Sequence, residues 1–253
     1  MSESGLKEFS FGEDDDTISF TTDKYKGDAG NTDRVSMVWW RDLDSDGLPV
    51  LGKSAKPRWV GGPRVFIKGV GAFFVPPSNK DLATLAKKAG EDPKEYAGTI
   101  IAVWPTDKNG ALDEEAPRLH KVDVKPWIVS GDRYRALKRK HNNTHFANHD
   151  LLLSCTDSQW QKMDIDVCGN SLYLKIVEAA KDSEKGAKAR AIVDRILDRI
   201  EKIEPMVGKL IANDWSADTV REKMGVATGN PDLGGAVSDA NVDNMLGDLI
   251  TPT

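Results

Sequence analysis

The sequence has no hydrophobic run long enough to cross a membrane and few cysteines. No stretch of its 253 residues approaches the roughly 18 consecutive apolar residues of a transmembrane helix, and residues 1–11 lack the apolar core of a signal peptide. The two cysteines, Cys155 and Cys168, are typical of a protein kept in a reducing compartment. We therefore expect a cytoplasmic protein without a membrane partner.

Catalytic motifs are also missing. The chain contains no phosphate-binding loop, no nucleophile elbow and no dinucleotide fingerprint between a strand and a helix. Asp42, Asp44 and Asp46 precede Gly47 and resemble the beginning of a calcium loop, but Lys53 stands where the acidic ligand is required. We therefore predict a plain turn at this position, no enzymatic activity and no cofactor.

Histidine is sparse but unevenly distributed. His141, His145 and His149 fall close together, and Cys155 and Cys168 follow them in the sequence. Side chains of these types hold zinc, but their spacing matches no standard zinc site. We predict turn or surface histidines, buried thiols and no bound metal, and the sequence leaves zinc binding by these five residues open.

The last thirty residues, Met224 to Thr253, contain no Lys or Arg. They carry four of the carboxylates behind the net charge of −5, followed by a small apolar group. An acidic peptide of this kind can cover a basic surface of its own chain or order in the groove of a partner. The residues predicted to bind a partner are Asp243, Met245, Leu246, Asp248, Leu249 and Ile250.

Positive charge is concentrated in two stretches that also carry aromatic rings. Residues 53–74 contain five cations and no acid, and alternation over residues 64–68 puts two cations and a ring on one strand face. Cations that follow phosphates and rings that stack on bases hold single-stranded nucleic acid. Phe73 and Phe74 point in opposite directions, so at most one is exposed. The nucleic-acid contacts predicted here are Lys56, Arg58, Trp59, Arg64, Phe66 and Lys68.

The second basic stretch, residues 118–140, holds eight cations against Asp123 and Asp132. Alternation places Lys125 and Trp127 on one side of a predicted strand, and a short basic helix follows. A charge run of this kind is often only a solvated helix face, but two such stretches in one β body favour a binding role. The contacts predicted here are Lys121, Lys125, Trp127, Arg133, Tyr134, Arg135, Lys138, Arg139 and Lys140.

Two kinds of hydrophobic pattern divide the chain. Short β-type runs broken by turn residues extend to about residue 178, and many short strands of this kind indicate a barrel or sandwich. Apolar residues then recur every three or four positions, which predicts helices at 184–203 and 216–224, with Pro205 ending or kinking the first. Further helices are predicted at 80–89 and 132–140. The predicted strands are 17–22, 34–40, 64–68, 72–75, 99–104, 119–129, 150–155, 161–167 and 171–177.

Several segments together resemble phage-encoded single-stranded DNA-binding proteins of the helix-destabilising replication type. They are DLLLSCTDSQWQK at 150–162, SLYLK at 171–175, the Lys/Arg-rich β body and the acidic, apolar end at 241–250. The resemblance implies an OB-fold that binds the displaced strand and an acidic terminus that contacts the replication machinery and tempers DNA binding. Some members carry a zinc-binding subdomain with closely spaced cysteines, and this chain lacks that pattern.

We therefore predict an α+β fold: an OB-like β-barrel body with inserted helices, a helical C-terminal segment and a flexible acidic tail. The predicted units are a flexible arm at 1–16, an OB-like nucleic-acid-binding domain at 17–182, the helical segment at 183–224 and the tail at 225–253. The predicted function is sequence-independent binding of single-stranded DNA in phage replication, recombination or repair, within the host cytoplasm. The predicted partners are the DNA and, through the tail, replication or recombination proteins.

Two other functions fit parts of the same pattern. A phage transcription or replication accessory factor would use the tail to bind a polymerase or clamp and its basic surface to contact duplex DNA. A virion or host-takeover protein would have no nucleic-acid role. Equal affinity for single and double strands favours the first, and insensitivity to charge reversal at Arg64 and Lys68 favours the second.

Overall fold

A computed structural model describes residues 24–50, 56–107, 109–110, 122–144, 148–155, 163–182 and 186–225, with backbone alone at 141–144. It has an α+β fold, as predicted. The strands are β1 (Thr32–Met37), β2 (Val60–Ile67), β3 (Gly71–Phe74), β4 (Lys94–Val103), β5 (Asp123–Ser130), β6 (His149–Cys155) and β7 (Met163–Asn170). The helices are α1 (Lys80–Lys88), α2 (Gly131–Thr144), α3 (Leu172–Ala180), α4 (Ala187–Ile211) and α5 (Ala217–Lys223).

All the strands join one antiparallel sheet, in the order β3-β2-β4-β1-β6-β7, with β5 also paired to β4. The central strand is β4. Its first half pairs with β2 and its second half with β1 along one edge, while β5 follows the other edge. Among the described residues this sheet is open and does not close into a barrel. The α+β class is therefore confirmed, whereas the predicted OB-like barrel is not.

The centre of the sheet is buried on both faces. Ile100, Ile101 and Ala102 are successive residues of β4, and all three are fully buried although neighbouring strand residues point to opposite faces. Helix α4 packs on β4 and β5, and Gly98 makes this approach possible: a Cβ on Gly98 would lie 2.9 Å from Cγ1 of Val207. The apolar residues of β4 therefore contribute to the hydrophobic core on both faces of the sheet.

Helix α4 is the amphipathic helix that the sequence predicts. Its buried side chains follow helical spacing, and the helix continues through Pro205 to Ile211. Proline removes one backbone N–H donor, so the helix loses a hydrogen bond there without ending. The buried stripe consists of Val193, Ile196, Ile200, Ile203, Val207, Leu210 and Ile211.

A smaller core lies at one end of the sheet, under β2 and β3. Val65 and Ile67 of β2 pack there against α1 and α5. Both helices begin as predicted, because Asn79 accepts a hydrogen bond from the N–H of Leu82 and Ser216 accepts one from that of Thr219. Side-chain caps of this type mark a helix start where the sequence that follows already favours a helix.

The predicted strand at 171–177 is wrong, because this segment is helix α3. Leucines at 172 and 174 and Ile176 fit a strand alternation, but Ser171 accepts a hydrogen bond from the Leu174 N–H at 3.4 Å and caps a helix. The buried residues Tyr173, Leu174, Ile176 and Val177 then follow helical spacing. Each other predicted strand overlaps a strand of the structure except 17–22, which lies outside the described residues.

A buried carboxylate links β1, β6 and α3. Asp150 is fully buried and accepts hydrogen bonds from Arg34 Nε at 2.7 Å, from the hydroxyl of Ser36 and from the N–H of Leu172 at 3.1 Å. The Ser36 hydroxyl in turn accepts one from Trp104 Nε1 at 2.7 Å. Burial raises the pKa of Asp150, and the bonds from Ser36 and Arg34 oppose that shift. The network fixes the start of α3 against the sheet.

None of the described helices has both the length and the apolar character needed to cross a bilayer. Three predicted features lie outside the described part of the chain: the arm at 1–16, Lys121, and the tail from 226 onward with its six partner-binding residues.

Candidate nucleic-acid interface

Strand β2 has one buried and one exposed face. Val65 and Ile67 are buried in the smaller core, whereas Phe66 between them keeps 53% of its surface exposed. Arg64 shares the outer face with Phe66, and Lys68 is exposed in the turn that follows the strand. The predicted alternation is therefore confirmed for residues 64–67, and the strand ends before Lys68.

Strand pairing brings further rings and cations beside Phe66. Arg64 lies opposite Phe74 of β3 and opposite Lys94 of β4, and Gly62 lies opposite Tyr96. Directly paired residues of an antiparallel sheet project from the same face. We call the surface formed by Arg64, Phe66, Phe74, Lys94 and Tyr96 the Phe66 face. Of these residues Lys94 is exposed and Phe74 and Tyr96 are partly exposed.

The Phe66 face contains residues that the sequence prediction missed. Phe73 is fully buried and Phe74 is partly exposed, as expected for neighbours on a strand. Lys94 and Tyr96 were missed because the strand was predicted to begin at 99, beyond Ala97 and Gly98. Lys94 and Glu95 are both charged and exposed, so no alternation of polar and apolar residues marks the start of β4.

Arg64 is held in place by two contacts. Its guanidinium carbon lies 4.0 Å from the centroid of the Tyr96 ring, and its Nη1 donates a hydrogen bond of 2.8 Å to the carbonyl oxygen of Ile211. Burial, followed by the positive charges of Arg64 and Lys26, lowers the pKa of Lys24 from its usual value. Lys24, which sequence reasoning did not identify, is therefore influenced by the charge of Arg64.

Arg58 is engaged by the end of helix α4. Its Nη1 lies 2.5 Å from Oε1 of Glu204, and its guanidinium lies 4.7 Å from the centroid of the Trp39 ring. Both charged side chains remain partly exposed, so water screens the pair. Lys56, two residues earlier, is exposed. Glu204 therefore competes with a phosphate for the Arg58 guanidinium.

Trp127 does not stack on bases from the protein surface, which corrects the prediction for this residue. It is 1% exposed and lies opposite Thr99 on the central strand, where Trp59 covers it with ring centroids 6.0 Å apart. The predicted alternation puts Trp127 on the same face of β5 as Lys125. The hydrophobic core covers this face in the middle of the strand. Lys125, nearer the strand start, is partly exposed and lies 2.9 Å from Asp123.

Trp59 and Tyr134 form the outer part of the same ring cluster. Their centroids are 5.2 Å apart at an interplanar angle of 59°, and both rings are partly exposed. Helix α2 begins directly after β5 and turns Leu137 inward beside them. These two rings keep a surface that a base can contact, unlike Trp127 beneath them.

The cations of α2 point in several directions. Arg135, Lys138 and Arg139 are exposed, and Arg135 contacts Asp132 at 2.6 Å. Lys140 donates to the carbonyl oxygen of Ile165 on β7, and Arg133 is partly buried. Four of the five predicted cations on this helix are therefore exposed, although Lys140 also contacts β7, and Arg133 is partly buried.

The predicted residues do not form one continuous cluster. Arg64 and Phe66 gather on the Phe66 face, whereas Trp59, Tyr134 and Arg135 line a groove that adjoins this face at Tyr96. In the described part of the chain no three His, Cys, Asp or Glu residues are grouped as metal ligands would be. Asp44, in the predicted acidic turn, accepts hydrogen bonds from the N–H groups of Asp46 and Leu48 at 3.0 and 2.9 Å.

A scan against protein-family models finds no match, and searches of the curated proteins and of the solved structures find none either.

Proposed function

We propose that the protein binds single-stranded DNA without sequence preference, through the Phe66 face, during phage replication, recombination or repair. The observation that carries this proposal is Phe66 itself, a half-exposed ring near the end of strand β2, with Arg64 held beside it and Lys94 paired with Arg64 on β4. The protein acts by binding and not by catalysis.

A large apolar side chain on a strand face normally packs against a neighbour, because contact with water is unfavourable for it. Phe66 lies opposite Ala72, a side chain too small to cover its ring. The uncovered ring can stack on an unpaired base, and every base has a face that suits it. Duplex bases already stack on each other, so this surface favours single strands.

Fixed cations complement the rings. Arg64 is oriented by Tyr96 and Ile211, so little side-chain entropy is lost when it contacts a phosphate. An arginine side chain has five N–H donors, and the bond to Ile211 uses one of its two Nη groups. Binding to phosphates releases counterions, so we expect the affinity for DNA to fall as the salt concentration rises. Affinities of different variants are therefore compared at one fixed salt concentration.

We include in this proposal that the body is an OB-like barrel and that the acidic tail binds partner proteins. In the open sheet, β1 and β2 both pair with the same edge of β4. On the far edge of β5, the N–H of Tyr25 donates a hydrogen bond of 2.7 Å to the carbonyl oxygen of Pro126. The acidic tail then recruits replication or recombination proteins.

Replacing Phe66 with alanine is the direct test. We expect affinity for a single-stranded oligonucleotide to fall by about five- to a hundred-fold, since stacking contributes roughly 1–3 kcal/mol per base. Fluorescence anisotropy with labelled single-stranded DNA, duplex DNA and RNA measures the change. The matched control is Leu43→Ala, because Leu43 is 52% exposed and apolar but lies outside the Phe66 face. Unchanged affinity in Phe66→Ala, or equal losses in both variants, would refute the proposal.

Glu204 is expected to restrain DNA binding by holding Arg58. Replacing it with glutamine removes the ion pair and frees the guanidinium, so single-stranded DNA affinity should rise by up to about five-fold, the range of exposed pairs. Glu201→Gln is the control, because it removes one charge from the same helix face without touching Arg58. Equal gains in the two variants would mean that only the net charge matters.

A further inference from the structure

A groove of about 360 Å³ lies beside α2 and adjoins the Phe66 face at Tyr96, which also lines the groove. It opens between the start of that helix and the first residues of β2 and β4. Its volume lies within the range of sites that hold small organic ligands. The residues that give it its chemistry are Trp59, Gly61, Gly62, Glu95, Tyr134 and Arg135.

The groove offers ring surface at one side and bare backbone at its floor. Trp59 and Tyr134 contact each other and are each partly exposed, with buried Trp127 supporting Trp59 from beneath. Gly61 and Gly62 contribute no side chains to the floor. Gly61 has a φ of +152°, and a Cβ there would lie 2.1 Å from the carbonyl oxygen of Tyr96, so this position requires glycine. A planar ring can therefore enter beside the aromatic side chains.

The charged groups of the groove differ in what they can bind. Arg135 is paired with the highly exposed Asp132, and a pair so exposed to water exchanges for a phosphate at little cost. Lys138 and Arg139 follow one turn later along α2 and extend the positive charge away from the groove. Glu95 repels phosphates, but its carboxylate can accept hydrogen bonds from the edge of a base.

We propose that this groove binds one unstacked base of the DNA strand and that Glu95 accepts a hydrogen bond from the exocyclic amino group of that base. Cytosine carries such a group and thymine does not. The groove therefore adds a preference for amino-bearing bases to a protein that otherwise binds any sequence. This inference rests on the proposed function, because the base arrives as part of a strand held elsewhere by cations and rings.

Affinities for deoxycytidine and thymidine homopolymers of equal length, at neutral pH and fixed salt, test the inference. We expect the wild-type protein to bind the deoxycytidine strand about five-fold more tightly, and Glu95→Ala to abolish that ratio. Losing the charge also raises the affinity for both strands, so the ratio and not either affinity is the readout. The control is Glu91→Ala, an equally exposed carboxylate outside the groove, which should keep the wild-type ratio.

The outcomes separate the two proposals. Tight binding of both homopolymers with equal affinity, or a ratio that survives in Glu95→Ala, would overturn the base site and leave single-stranded DNA binding intact. If the protein bound neither homopolymer, both the base site and the proposed single-stranded DNA binding would be refuted. Photo-crosslinking of the unaltered protein to 5-iododeoxycytidine oligonucleotides gives an independent result: crosslinks at Trp59 or Tyr134 support the site, and crosslinks confined to β2 and β3 beyond Gly62 contradict it.

Discussion

Replacing Trp127 with alanine is expected to lower the free energy of unfolding by about 3–5 kcal/mol. The indole is 1% exposed, lies on the strand paired with central β4 and is covered by Trp59. Its removal takes away buried apolar area and leaves a cavity among side chains fixed by the sheet, which cannot collapse to fill it. Urea denaturation followed by circular dichroism measures the loss.

Trp127→Phe is the matched variant for this test. It retains an aromatic ring and removes an indole N–H that finds no acceptor among the described residues. A smaller loss of stability is therefore expected than for alanine, because less volume is removed and a buried donor is no longer left unsatisfied. If Trp127→Ala instead kept wild-type stability and lost single-stranded DNA affinity, the indole would be a surface contact after all.

The exposed surface of β2 was predictable because a strand has a simple period. Alternation of Arg64, Val65, Phe66 and Ile67 assigns the first and third to one face, and the apolar pair identifies the buried one. Helix starts at Asn79 and Ser216 were predictable for a similar reason. In each case the information lies within a few consecutive residues.

Helix α3 shows where such local patterns fail. Its short apolar run fits a strand and a helix equally, and no periodicity decides between them. The decision comes partly from Asp150, some twenty residues earlier, which accepts the N–H of Leu172 and helps satisfy the first turn. A long-range hydrogen bond of this kind leaves no local signal in the sequence.

Local patterns also cannot tell which cations are engaged. Arg58 and Arg64 fall in the same basic stretch, but the first meets Glu204 and the second the carbonyl oxygen of Ile211, both contributed by α4. For Arg64 the contact orients the side chain on the Phe66 face, whereas for Arg58 it supplies a competing anion. The same helix therefore supports one predicted DNA contact and restrains another.

Asp150 has a structural role that the sequence analysis did not predict. A buried carboxylate is costly unless its oxygens are hydrogen-bonded and its charge is compensated. Here Arg34 supplies the charge, while Ser36 and the N–H of Leu172 supply further donors. The network joins strands β1 and β6 to the first turn of α3, so its stability depends on contacts from all three elements.

Replacing Asp150 with alanine is expected to lower the free energy of unfolding by about 3–5 kcal/mol, the range for removing one partner of a buried ion pair. Arg34, largely shielded from water, then loses its counter-charge, and the N–H of Leu172 loses its carboxylate acceptor. Asp166→Ala is the control, because this exposed carboxylate lies on the strand paired with β6 and should change stability by less than about 0.5 kcal/mol. Urea unfolding of both variants decides the matter: equal losses, or a loss below about 1 kcal/mol for Asp150→Ala, would mean that packing and not this network holds α3 to the sheet.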